Sequence, residues 1–87
     1  MTNNRASGSI TSEHLLRHPG FVKGFYDARS NYLYDQTFCD RHPASQAYYE
    51  RGRHFAQVYD GPLHDGPRIR ISALINLKRA VRLREVL

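Results

Sequence analysis

Two glycines stand where helices are expected, and in each case an alanine follows four residues later: Gly24-Phe25-Tyr26-Asp27-Ala28 and Gly52-Arg53-His54-Phe55-Ala56. A glycine inside a helix costs roughly 1 kcal/mol relative to alanine. A chain that keeps one in each of two helices must therefore gain packing from the missing side chain. Residues four apart share a helix face. The pattern predicts two helices touching along bare backbone, as an antiparallel hairpin in which Gly24 and Ala28 meet Gly52 and Ala56, flanked by Phe21, Phe25, Tyr48 and Phe55.

The boundaries of these helices are written in a repeated tripeptide, Arg17-His18-Pro19 and Arg41-His42-Pro43. Proline disfavours helix at the residue before it and suits the first turn of a new one. Helices are thus expected over about 19–31, with the stripe Phe21, Phe25, Ala28 and Tyr32, and over 43–59, with the stripe Tyr48, Gly52, Phe55 and Tyr59. Thr11 or Ser12 can cap a short turn through Arg17 that carries Leu15 and Leu16. Between the long helices, residues 30–42 read as a loop with one turn of irregular helix. Asp60-Gly61-Pro62 stops the second helix, and a further turn, His64-Asp65-Gly66-Pro67, follows.

Arg68-Ile69-Arg70-Ile71 alternates like a strand, but a single run has no sheet to join unless a second copy of the chain supplies the partner. From Ser72 as N-cap, residues 73–86 form a third helix with Leu74, Leu77 and Val81 as its seam and Ala80, Leu83 and Leu87 beside it. Residues 1–10 are polar and unpatterned, which predicts a disordered leader before a single helical domain over 11–87. The fold class is all-α: a small domain with an antiparallel helical hairpin plus a C-terminal basic amphipathic helix.

The net charge of +5 lies entirely at the C-terminal end. Residues 1–65 carry seven bases and seven acids, which cancel. Beyond them stand Arg68, Arg70, Lys78, Arg79, Arg82 and Arg84 against Glu85. Such asymmetry points to a polyanionic partner, a nucleic acid or nucleoprotein. Lys78, Arg79 and Arg82 project from one side of the third helix, and Arg51 and Arg53 supply a second patch. Arginines also interleave with tyrosines at residues 29–34 and 48–53, a composition suited to stacking unpaired bases or to a protein contact.

Other classes of function find little support. The only cysteine, Cys39, cannot form an intrachain disulfide, and neither His14 with His18 nor Cys39 with His42 makes more than half a zinc site. Gly61 and Gly66 precede prolines, so no loop offers the run of backbone N–H groups that cradles phosphate. The expectation is a protein that is not an enzyme, with no catalytic residues, metal or cofactor. No apolar run approaches the ~20 residues of a membrane span, and Met1 to Arg5 open on polar residues, so no membrane partner and a cytoplasmic location are expected.

Lys23-Gly24-Phe25-Tyr26-Asp27-Ala28 and Tyr48-Tyr49-Glu50-Arg51-Gly52-Arg53-His54-Phe55-Ala56 together resemble the ribosome modulation factors of proteobacteria, over residues 20–57. Those proteins are short, basic and helical, with Gly-aromatic-x-x-small in a first helix and an aromatic followed by Gly-x-x-x-Ala in a second. The resemblance implies ribosome binding. The chain departs from the family in having Cys39-Asp40-Arg41 where a Cys-Pro-Tyr turn is expected, Tyr48 in place of a tryptophan, a neutral hairpin, and an added basic helix.

Two functions follow from this reading. One is a small binding protein that docks on a nucleic acid or nucleoprotein machine of the ribosome or RNA type through the basic C-terminal helix. The other is a phage-type effector that inhibits a host nucleoprotein complex, for example as an anti-defence inhibitor, through contacts with its protein subunits. A homodimer is expected to cover Leu83, Leu87 and the Ile69/Ile71 edge.

Overall fold

A computed structural model describes residues 11–86; the expected leader and Leu87 lie outside the described residues. Thr11 caps α1 (Ser12–Arg17), its hydroxyl accepting the His14 N–H at 3.1 Å. His18, extended before Pro19, closes α1 and opens α2 (Pro19–Arg29): its Nδ1 accepts the Gly20 N–H at 3.0 Å. The imidazole lies flat on Tyr48, with ring centroids 3.7 Å apart. One residue thus joins two helices and ties them to a third.

This cap is pH-dependent. Burial of the ring, and then the neighbouring His14, hold the His18 pKa below the usual 6.5. The unfolded chain takes up this proton as pH falls through 6.5 while the folded chain resists, so the stability it contributes above 6.5 is lost progressively below it. Urea midpoints measured from pH 7.5 to 5 should fall for the native chain, and less for His18→Asn, whose amide oxygen can cap at every pH.

α2 ends earlier than the expected residue 31 because Asn31 turns left-handed at φ 63°. The Asn31 N–H donates to the Ala28 carbonyl at 3.0 Å and the Tyr32 N–H to the Asp27 carbonyl at 2.8 Å, the Schellman closure. Tyr32 is thrown outward, 64% exposed, and leaves the apolar stripe. Asp35 then caps α3 (Gln36–Arg41) by accepting the Phe38 N–H, and a 3-10 turn (Pro43–Ser45) leads into α4 (Gln46–Phe55).

The small residues do let α2 and α4 meet, but the helices run in the same direction. Gly20 lies against Ser45, Gly24 against Tyr49 and Gly52 against Phe21 and Phe25, while Arg29 reaches the carbonyls beyond α4. Residue numbers rise together on both helices, which corrects the antiparallel hairpin. The connection through α3 is long enough to carry the chain back to its starting end. The approach is tightest at the glycines: a Cβ on Gly24 would overlap the Tyr49 carbonyl oxygen, and one on Gly52 the Phe21 carbonyl oxygen. Ala28 and Ala56 are half-buried, and Ala56 packs on the core.

The buried stripe of α4 is Tyr49, Gly52 and Phe55, continued by Tyr59. Tyr48, expected in that stripe, is instead half-buried under His18. Phe21, Phe25 and Phe55 form the centre of the core, and Leu16, Leu63 and Leu77 are fully buried with them. Arg29 closes the far end, donating to the carbonyls of Tyr59 at 3.0 Å and Gly61 at 2.9 Å while its guanidinium covers the Phe25 ring.

Arg68-Ile69 does find a strand partner within the chain. β1 (His64–Asp65) pairs antiparallel with β2 (Arg68–Ile69), His64 opposite Ile69 and Asp65 opposite Arg68. Gly66 has φ 63° and Pro67 must have negative φ, so the two-residue turn is type II′, the hand that suits a tight hairpin. Pairing with a second copy is therefore not needed to satisfy this edge.

α5 (Ile71–Arg82) follows directly, with Arg70 rather than Ser72 at its N-cap. Ser72 lies in the first turn, its Oγ 2.8 Å from the Tyr59 hydroxyl. The helix closes with Arg84 at φ 63°, the Arg84 N–H donating to Val81 and the Glu85 N–H to Ala80, after which Val86 folds back into the core. That left-handed position costs a side-chain-bearing residue ~1–2 kcal/mol. Arg84→Gly should raise stability by ~0.5–1 kcal/mol, or about 4 °C in melting temperature, readable by calorimetry.

Candidate nucleic-acid interface

The inner face of α5 is small. Ala73, Leu77 and Ala80 are buried, so two of its three buried residues present only methyl groups, and Leu74 packs against the core from the side. Of the expected seam, Leu77 is fully buried and Leu74 is half-buried against the core, whereas Val81 is 43% exposed and its place is taken by Ala73 and Ala80. With these small residues on the inner face, the β-branched Ile71, Ile75 and Val81 are left exposed.

Opposite that seam runs the stripe Ile71, Ile75, Lys78 and Arg82, spaced i, i+4, i+7 and i+11, with Arg79 beside it. Lys78, Arg79 and Arg82 are all exposed, as the charge distribution led us to expect. Ile71 and Ile75 are exposed with them, at 74% and 54%. Ile71 is expected at an uncovered edge, but neither it nor Ile75 is expected on the cationic face of the helix, because stripes beginning at residue 71 and at residue 74 are equally periodic.

Arg68 and Arg70 are exposed at the N-terminal end of α5. With Asp65, Ile69, Ile71 and Ser72 they line an open hollow of about 370 Å³. Arg84 is exposed just past the other end. Among the described residues none of these six C-terminal cations forms an ion pair.

Arg51 and Arg53 belong elsewhere. Both are half-buried on α4, which packs against α2, whereas α5 packs against α1. Arg53 donates to the Tyr49 hydroxyl at 3.4 Å and its guanidinium stands over that ring, and Arg51 lines a small hollow with Ala47, Glu50 and His54. Arg53 is thus part of a network centred on Tyr49.

That network is the main polar feature of the helix pair. Tyr49 is fully buried, yet its hydroxyl donates to Asp27 at 3.0 Å and accepts the Asp35 N–H at 2.9 Å. Lys23 bridges Asp27 at 2.9 Å and Asp35 at 3.1 Å, and its pKa is raised, first by the bond to Asp27. The Asp35 pKa is lowered, first by the Phe38 N–H and then by Lys23. Beside it the Tyr34 hydroxyl lies 3.3 Å from the Cys39 sulfur and donates to Glu50 at 2.6 Å, and these two neighbours, Cys39 first, raise its pKa strongly by disfavouring a phenolate there. These groups lock the 30–35 loop to α2 and α4.

The tyrosines expected to stack bases are largely engaged in the same way. Tyr49 and Tyr59 are buried, Tyr48 carries His18, Tyr34 holds Glu50, and the Tyr26 hydroxyl accepts the Leu63 N–H. Tyr32 stands out from the fold, next to Leu33, which is 89% exposed. Among the described residues no group of three or more His, Cys, Asp or Glu is placed to hold a metal ion, and no helix is long and apolar enough to cross a membrane. His14 packs edge-on to His18 and Tyr48. Comparison with protein-family models, curated proteins and solved structures finds no match.

Proposed function

We propose that this chain is a non-enzymatic docking protein whose basic C-terminal unit, from Arg68 to Arg84, attaches to a nucleic acid or nucleoprotein machine. One observation carries the reading: six exposed cations that form no ion pair among the described residues stand on and beside one helix, while residues 1–65 are electrically neutral. A charged face that served solubility alone would be interspersed with acids. The ribosome is the nucleoprotein to which the likeness of residues 20–57 points.

The test is the salt dependence of binding. Each phosphate neutralised releases counterions, so log K should fall with log salt by roughly 0.7 to 0.9 per contact. Replacing Lys78, Arg79 and Arg82 together with glutamine preserves helix propensity and should flatten that slope by roughly 2 to 3 units. An unchanged slope would return the face to a solvated surface.

A second reading, an effector of the phage type that inhibits a host nucleoprotein complex through its protein subunits, is favoured by Tyr32 and Leu33. They project from a loop held by the Asp35 and Tyr49 bonds and resemble the anchor of a protein contact. On that reading nucleic acid is bound weakly at physiological salt, and Leu33→Asp abolishes capture of the partner.

A further inference from the structure

The outer face of α5 is not a plain cationic surface. Ile71 and Ile75 stand one turn apart at 74% and 54% exposure, in line with Lys78 and Arg82 and with Arg79 beside them. Whatever covers this face must present dense negative charge and also take up two branched apolar side chains. A second copy of the chain does not, because its own α5 would bring like charges together.

Single-stranded nucleic acid also fits poorly. Its recognition depends on aromatic rings that receive the bases, and five of the six tyrosines are buried, stacked or bonded within the fold, leaving Tyr32 on a separate loop. A rigid helix that offers charge and methyl groups but no free ring is suited to a duplex. The major groove of B-form DNA, about 12 Å wide, admits an α-helix and exposes thymine methyl groups on its floor. The major groove of duplex RNA is too narrow for a helix, and its minor groove presents 2′-hydroxyls that isoleucine cannot bond.

We infer that α5 seats its outer face in the major groove of duplex DNA, with Ile71 and Ile75 toward the base edges and Lys78, Arg79, Arg82 and the flanking arginines toward the phosphates. From residue 71 to residue 82 the helix spans about 18 Å, roughly five base-pair steps. The inference rests on the docking reading above and names duplex DNA as its ligand in place of the ribosome that the likeness of residues 20–57 suggests, because α5 (Ile71–Arg82) lies outside that likeness.

The full chain should be titrated by fluorescence polarisation against a labelled AT-rich DNA duplex of about 20 base pairs, one of its single strands and the matching RNA duplex, and by sedimentation against vesicles of phosphatidylcholine with phosphatidylserine. The DNA duplex is expected to bind about tenfold more tightly than the other nucleic acids. Ile71→Ser with Ile75→Ser should weaken duplex binding by about tenfold, roughly what the apolar burial of two partly covered side chains contributes, and leave the salt slope unchanged, since no phosphate contact is removed. The triple glutamine variant should flatten the slope instead.

Equal or tighter binding of the single strand, the RNA duplex or the vesicles would overturn the DNA assignment while leaving attachment to a polyanion standing. So would full duplex affinity in a double serine variant of unchanged melting temperature. Absence of binding to all the nucleic acids at low salt would overturn both this inference and the docking reading.

Discussion

Replacing Gly52 with alanine is expected to lower the melting temperature by roughly 10–20 °C, against the gain of ~1 kcal/mol that helix propensity alone would give. The added methyl would overlap the Phe21 carbonyl oxygen and stand 2.8 Å from the Phe25 nitrogen. Both atoms belong to helical backbone, so no side chain can rotate away; α2 and α4 must separate. Gly24→Ala should act in the same direction, since its methyl would meet the Tyr49 carbonyl. Because the two crossings share one interface, the double variant should cost less than the sum of the single ones. Circular dichroism melts check this, and a rise in melting temperature for either variant would show that the helices do not touch there.

The second large effect belongs to Tyr49→Phe, which should cost ~2–3 kcal/mol, read as a fall in the urea midpoint at unchanged slope. The ring would still fill its site, so the loss comes from the hydroxyl. Removing it leaves the Asp35 N–H without its acceptor and takes a donor from Asp27, whose carboxylate is largely withdrawn from water. A lost bond to a charged group costs more than one between neutral groups. Asp27→Asn should be destabilising as well, and a double-mutant cycle with Tyr49→Phe should show coupling, because both substitutions remove the same bond. Additive behaviour would mean that Asp27 acts through Lys23 alone.

The local events of this fold were legible in the residues themselves. Pro19 and Pro43 begin helical segments because a fixed φ and a missing N–H suit a first turn, and Thr11 caps because a short hydroxyl side chain can reach the N–H three residues on. The charge asymmetry is a property of composition, so the exposure of Lys78, Arg79 and Arg82 needed only an amphipathic helix. The two glycines announced a close helix crossing, because nothing else offsets their cost.

What the sequence by itself left open depended on atoms far apart in the chain. The direction of the helix pair was not written in Gly24 or Gly52, since a bare helix face can be crossed either way; the return of the chain through α3 and the Arg29 bonds beyond α4 decided it. On α5 Leu77 and Ala80 are buried as periodicity allowed, but Ala73 took the inner face and Val81 lost it, because a small side chain lets the helix lie closer to a core already filled by Phe21, Phe25 and Phe55. That choice turned Ile71 and Ile75 outward among the cations. Tyr49 went inside in place of Tyr48 because only there could its hydroxyl meet Asp27 and the Asp35 N–H, while Tyr48 found a flat partner in His18. Periodicity names the faces a helix can present, and only tertiary packing, which weighs volume and buried hydrogen bonds together, selects the one that is covered.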